Sequence, residues 1–141
     1  MSIITIATSK GGAGKTTLAR LLVGLLSQSG YKVAAVDTDL NHTLTDWVNT
    51  LSKCPVTVEH ELDETKLVPL VSKLHDGHDV VVIDTTGAAS QATIFAIGCA
   101  DLVLVPVQTS SADIVEAIKT MNLIESAGLM MKRGVPARVV L

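Results

Sequence analysis

One stretch limits this chain more than any other: Ser9-Lys10-Gly11-Gly12-Ala13-Gly14-Lys15-Thr16-Thr17, set between a short apolar run and an amphipathic segment. Glycines let successive backbone N–H groups curl around an anion with no Cβ in the way. A helix starting on such a turn adds the positive end of its dipole. The apolar run over residues 3–7 predicts a strand. Leu18, Leu21, Leu22, Leu25 and Leu26 recur at helical spacing up to Gly30, which predicts a helix closed by a glycine. Strand, glycine-rich turn and helix in that order point to βαβ architecture and a phosphate loop.

The rest of the chain repeats the alternation. Residues 33–36 read as a strand ending at Asp37, and residues 40–53 as loop plus a short helix. Residues 56–58 read as a strand and 63–74 as a helix, although Pro69 removes a backbone donor there. Residues 80–83 are the plainest buried strand, and residues 102–107 form another, with Pro106 marking its end. Ser110-x-x-Asp113 resembles a capping box before a helix carrying Ile114, Ala117, Ile118, Met121 and Ile124, with Gly128 expected just past its end. A last strand begins at Arg138. Hydrophobic residues make up 48% of the chain, yet only Tyr31, Trp47 and Phe95 are aromatic. Apolar mass from Val, Ile, Leu and Ala suits strands buried on both faces. The expected fold is α/β: a three-layer, P-loop NTPase-like domain with a mostly parallel twisted sheet and helices on both faces. Because the chain stops on an apolar strand, residues 1–141 are expected to be one domain lacking its C-terminal part.

Composition excludes several classes. Eleven basic and 14 acidic residues give a net charge of −3, and high hydrophobicity with low charge rules out a disordered chain. Only Lys132, Arg133 and nearby Arg138 cluster, so no basic platform for nucleic acid stands out. No apolar run reaches the length of a membrane span, and the start MSIITIATSKGG lacks the pattern of a signal peptide. Cys54 and Cys99 are isolated thiols, as in a cytosolic protein with reduced cysteines.

Within the loop, Lys15 can reach β- and γ-phosphates and the Thr16 hydroxyl can ligate Mg²⁺. The common P-loop has glycine where Ser9 stands, and here an extra lysine, Lys10, opens the pattern K-G-G-x-G-K-T-T. This pattern resembles the ParA/MinD family of deviant-Walker P-loop ATPases, most like a small ParA-type partition ATPase. Val36-Asp37-Thr38-Asp39 matches the family's acidic second motif. Val80-Val81-Val82-Ile83-Asp84-Thr85-Thr86-Gly87 matches its Walker B and switch II. Asp101-Leu102-Val103-Leu104-Val105-Pro106-Val107-Gln108 resembles the following strand and loop. ParA proteins commonly follow the acidic pair with Pro-Gln, whereas this chain has Leu40-Asn41 in that switch I position.

Asp84 should emerge at the carboxyl end of a buried strand, where α/β proteins bind ligands and where it can hold Mg²⁺ through water. Gly87 allows a backbone N–H to approach the γ-phosphate. Asp37 and Asp39 close the neighbouring strand. The resemblance implies that Asp39 orients the attacking water and that Asp37 supports the metal side, while a helix-capping role for Asp37 stays open. It also implies that Gly11, Gly12, Ala13, Gly14, Lys15, Thr16 and Thr17 cradle the nucleotide. The resemblance further implies that Lys10, as the family's signature lysine, reaches the phosphates of a facing subunit; the alternative is a solvated surface lysine. His75 and His78 read as an exposed turn rather than a metal site, His42 and His60 carry no signal, and Cys99 reads as a small core residue. Trp47 is expected beside switch I, packed or at an interface.

The implied function is a slow, Mg²⁺-dependent ATPase that forms an ATP-bound homodimer and partitions plasmid, phage or chromosomal DNA with a ParB-like partner. Its place would be the bacterial cytoplasm, with nucleoid association through a C-terminal region beyond residue 141. A MinD-like, conjugation-associated or cargo-positioning relative is the alternative. So is a nucleotide-gated scaffold with little turnover.

Overall fold

The structure is a computed structural model and describes residues 2–50 and 55–141. Along the chain it runs β1 (Ser2–Ile6), α1 (Lys15–Gln28), β2 (Val33–Asp37), α2 (Thr43–Thr50), β3 (Val56–His60) and α3 (Glu64–Gly77). There follow β4 (Val80–Asp84), α4 (Gln91–Cys99), β5 (Leu102–Pro106), α5 (Ser111–Met130) and β6 (Ala137–Val140). Six strands form one sheet in the order β3-β2-β4-β1-β5-β6. Every pairing is parallel, which sharpens the expected mostly parallel sheet.

The central strands are apolar throughout because both their faces are covered. Val33, Ala35, Val80 and Val82 pack with Ala19 and Val23 of α1 and Leu44 and Val48 of α2. Their neighbours Ala34, Val36, Val81 and Ile83 point the other way, onto Leu67 and Val71 of α3 and Ala96 of α4. The period of two along a strand thus divides one apolar run between two layers. Ile124 and Ala127 of α5 pack over Val103 and Val105 of β5, next to Ile97 of α4. Each fully buried Val, Leu or Ile contributes about 1.5–3 kcal/mol relative to exposure.

Three local expectations change. Residues 91–99 form α4, which no amphipathic pattern announced; Ser90 caps it by accepting from the Thr93 N–H. Gly128 lies inside α5 and is buried, because a Cβ there would sit 2.7 Å from the Arg133 carbonyl oxygen. The helix ends instead at Met130, and just past its cap Lys132 takes the left-handed conformation (φ 53°), while Arg133 N–H donates back to the Gly128 carbonyl at 3.0 Å. His75 is in the last turn of α3, not in an exposed turn, since that helix passes Pro69 and continues to Gly77. Pro69 lies on an exposed side of the helix, as does Thr65, whose carbonyl loses its helical donor. The expected short helix after residue 40 is α2, and Cys54 lies outside the described residues.

Candidate nucleotide site

The parallel sheet brings the ends of β1, β2 and β4 side by side, with Ile6, Asp37 and Asp84 in register. The loop after β1 leaves from this edge and delivers the chain to Lys15, the first residue of α1. Gly12 and Gly14 take φ of 76° and 89°, a region that side chains rarely enter. Gly14 is the N-cap of α1 and offers no side chain, so the first-turn N–H groups face an open end. A Cβ on Gly11, Gly12 or Gly14 would meet nothing within 4 Å, so the concavity they outline is free.

Lys15 is 7% exposed and arches back over the loop, its Nζ donating to the Lys10 carbonyl at 3.2 Å. Burial holds its pKa below the ordinary lysine value, and the negative charges of Asp84 and Asp39 oppose that shift. Thr16 Oγ1 donates to Asp84 Oδ2 at 2.7 Å. The other oxygen, Asp84 Oδ1, is buried with no hydrogen-bond partner. Burial pushes the Asp84 carboxyl up to about 6 against the Thr16 hydrogen bond, and the charge on Asp37 adds to the rise. An orphaned, fully buried carboxylate oxygen beside a threonine hydroxyl fits a divalent cation with oxygen ligands. Among the described residues no three His, Cys, Asp or Glu side chains gather into a separate metal site.

Of the two roles open to Asp37, metal support and helix capping, its bonds favour capping. Its Oδ2 accepts from the Leu44 and Thr45 N–H groups and the Thr45 hydroxyl at 3.0–3.1 Å, satisfying the first turn of α2. Its Oδ1 accepts from the Asp39 N–H at 3.0 Å. Asp39 is half-buried, and its Oδ1 accepts from both the backbone and side-chain amides of Asn41 at 2.9 and 3.1 Å. Thr38 ties this segment to β4, donating through both its N–H and its hydroxyl to the Asp84 carbonyl. Gly87 lies against the phosphate loop itself: a Cβ there would be 2.7 Å from Gly11 Cα. Ala13 and Thr17 stand where the motif puts them, half-buried and exposed respectively.

Lys10 points away from its own loop. Its Nζ pairs with Asp113 Oδ1 at 3.1 Å, at the start of α5. Hydrogen bonding from Ser110 and then from Lys10 holds the Asp113 carboxyl below the usual carboxylate range. Ser9, in the position of the common glycine, donates from its N–H to Thr120 Oγ1 at 2.9 Å and from its hydroxyl to Glu116 Oε2 at 2.7 Å.

Two histidines without a sequence signal also meet here. The His60 imidazole Nε2 lies 2.8 Å from the Asp39 carbonyl, and the His42 ring stacks on it with centroids 3.5 Å apart. His78 instead links elements away from the site, bonding the Leu74 carbonyl and the Thr57 hydroxyl. Trp47 packs with the α1 side of the core under the Arg20 guanidinium, 5.8 Å from the ring centroid. Cys99 is half-buried against the α3–α4 layer, and burial raises its thiol pKa. Arg133, from the small basic group, spends its guanidinium on the Gly98 and Ala100 carbonyls. No described helix is long and apolar enough to cross a membrane.

A family model described as VirC1 protein matches residues 1–140. Protein ParA of Rhizobium radiobacter is 32% identical over 142 residues, covering 99% of this chain and 64% of that protein. Protein virC1 of the same organism is 30% identical over 146 residues, covering 99% and 63%. The chain therefore spans a little under two thirds of the length of these relatives. Among solved structures, apo McdA from Cyanothece superposes with a TM-score of 0.82 at 22% identity, covering 99% of this chain and 71% of the other. An ATP complex of a variant of that protein gives 0.77 at 22% identity, covering 99% and 69%. At such identity the likeness is one of fold.

Proposed function

Because this chain belongs to the VirC1 family and has the fold of ParA- and MinD-type ATPases, we propose that it is the nucleotide-binding part of a partition-type ATPase. The observation that carries the reading is the orphaned Asp84 Oδ1 beside Thr16 Oγ1, at the mouth of an open glycine cradle. Gly11, Gly12, Ala13, Gly14, Lys15, Thr16 and Thr17 bind the ATP phosphates, chiefly through backbone N–H groups, and Lys15 adds a cation once it leaves the Lys10 carbonyl. Thr16 and Asp84 hold Mg²⁺, with Asp37 adding negative charge beside them from the neighbouring strand. Bound Mg²⁺ supplies neutralisation of phosphate charge. Gly87 offers its N–H toward the γ-phosphate side.

Asp39 orients the attacking water. Its Oδ1 is engaged by Asn41, so bringing both carboxylate oxygens to the water requires switch I to rearrange, in keeping with slow turnover. The same bonds support the second reading, a nucleotide-gated scaffold whose turnover is negligible without a partner. Lys10 contributes charge across an ATP-dependent homodimer. The wider assignment is DNA partition in the bacterial cytoplasm with a ParB-like partner, and DNA contact through a C-terminal region outside this chain.

Calorimetry on the full-length protein tests the core of this reading. Lys15→Ala and Thr16→Ala should weaken Mg-ATP binding by more than about tenfold while thermal unfolding stays near wild type. Equal ATP affinity for wild type and Lys15→Ala would overturn the site. Asp39→Ala should keep ATP binding and lose turnover; wild-type turnover in it would remove Asp39 from the water-orienting role.

A further inference from the structure

We propose that His60 is a positioning residue for Asp39, holding the switch I turn to the sheet through the Asp39 carbonyl. The inference rests on the proposed role of Asp39 and names what fixes that residue.

The turn between β2 and α2 is built from short-range bonds. Asp39 N–H donates to Asp37 Oδ1, the Asn41 amides donate to Asp39 Oδ1, and His42 N–H donates to the Asp39 carbonyl at 3.2 Å. Together with the Asp46 N–H, which donates to the His42 carbonyl at 2.9 Å, these bonds tie residues 39–42 to the end of β2 and the first turn of α2, but none of them reaches β3. Among the described residues, only one hydrogen bond reaches them from outside residues 37–46, and it comes from His60 Nε2. His60 ends β3, where it stands in register with Asp37, and the ladder continues one step as Glu61 N–H donates to the Asp37 carbonyl at 3.0 Å. The imidazole therefore projects from a strand end fixed on the sheet, and its Nε2 meets a backbone atom of the residue whose carboxylate has to be aimed.

A carbonyl can only accept, so Nε2 carries the proton in this arrangement. His42 keeps the ring in place. It takes φ 53°, a conformation uncommon for a residue with a side chain, and that conformation lays its imidazole over His60 at 26° between planes. Uncommon backbone of this kind persists where surrounding contacts over-determine it. The pair fixes the Asp39 backbone, and the carboxylate inherits that fixed origin when it exchanges Asn41 for water.

The test uses the full-length protein with four variants: His60→Ala, His60→Gln, Asp39→Ala and the Asp39→Ala/His60→Ala double. Glutamine can present an amide N–H near the position of Nε2 and should rescue. Hydrogen exchange of the nucleotide-free protein should be roughly fivefold faster over residues 38–46 in His60→Ala and unchanged in His60→Gln. Steady-state hydrolysis should show kcat down roughly fivefold to tenfold in His60→Ala at unchanged ATP affinity, with His60→Gln near wild type. In the Asp39→Ala background, His60→Ala should add nothing. His42→Asn, which accepts the left-handed backbone but loses the stack, should show a smaller loss in the same direction. Unchanged exchange and kcat in His60→Ala, or equal impairment by Ala and Gln, overturns the proposal. So does a further loss in the double variant. The parent reading fails by a separate result, wild-type turnover in Asp39→Ala; a normal Asp39→Ala loss with an unaffected His60→Ala sinks this inference alone.

Discussion

The Lys10 ammonium lies 3.1 Å from Asp113 Oδ1, a carboxylate 103 positions further along the chain. With the Lys10 side chain 46% exposed, this pair contributes under about 1 kcal/mol to stability. Its effect falls on where the cation points. A role across a dimer requires Lys10 to leave Asp113, so Asp113→Ala should let the Mg-ATP dimer form at lower protein concentration. Lys10→Ala should bind ATP and stay monomeric. Light scattering with a slowly hydrolysed analogue reads both. Weaker dimerisation of Asp113→Ala would mean that the ion pair belongs to the dimerising form.

Asp84 gives a prediction in pH. Folding raises its pKa from 3.8 to about 6, so the folded chain holds this proton more tightly than the unfolded one. The associated stability is full below the ordinary carboxylate range and is lost as pH rises through about 6. The stability at stake is on the order of 3 kcal/mol. Nucleotide-free Asp84→Asn should therefore unfold at a higher temperature than wild type at pH 7, with the difference shrinking toward pH 4, while Mg²⁺-dependent ATP binding is lost. A lower unfolding temperature at pH 7 would contradict the buried charge.

Gly87 and Gly11 should respond oppositely to alanine. At Gly87 the new Cβ would sit 2.7 Å from Gly11 Cα and 2.8 Å from Gly11 N, both backbone, and overpacking of this kind costs about 1–3 kcal/mol. At Gly11 it would meet nothing within 4 Å and would project into the cradle's open space. Thermal unfolding should fall for Gly87→Ala and hold for Gly11→Ala, while calorimetry finds ATP binding weakened in both.

Gly128→Ala tests the end of α5. Alanine favours helix over glycine by about 1 kcal/mol. Here its Cβ would approach the Arg133 carbonyl to 2.7 Å, and that contact should outweigh the propensity. The variant should melt below wild type with ATP affinity intact; a higher melting temperature would show that the turn after α5 yields easily.

The phosphate loop and the β4 strand were readable because their chemistry is local: spacing of glycines in one, an unbroken apolar run in the other. Helix α4 escaped because Ala92, Ala96, Ile97 and Gly98 are buried on nearly all sides, which erases amphipathic period. Gly128 misled because glycine serves close packing as well as helix ends. Asp37 could not be assigned from its neighbours, since the N–H groups it accepts from lie seven and eight residues on, across a turn. The His60 contact to Asp39 depends on β2 pairing with β3 in a particular register, and no periodicity carries that.

Ser9 alters what the glycine-rich stretch amounts to. Through Glu116 and Thr120 it is moored to the middle of α5, and Lys10 is moored to that helix's beginning. The stretch is therefore not a portable anion binder that any strand and helix could host. Transplanted without α5, it would keep its glycines and its lysines but lose the anchorage that sets its entry angle. Any movement of α5 along its axis would in turn pull on the entrance to the cradle, making helix and loop one mechanical part.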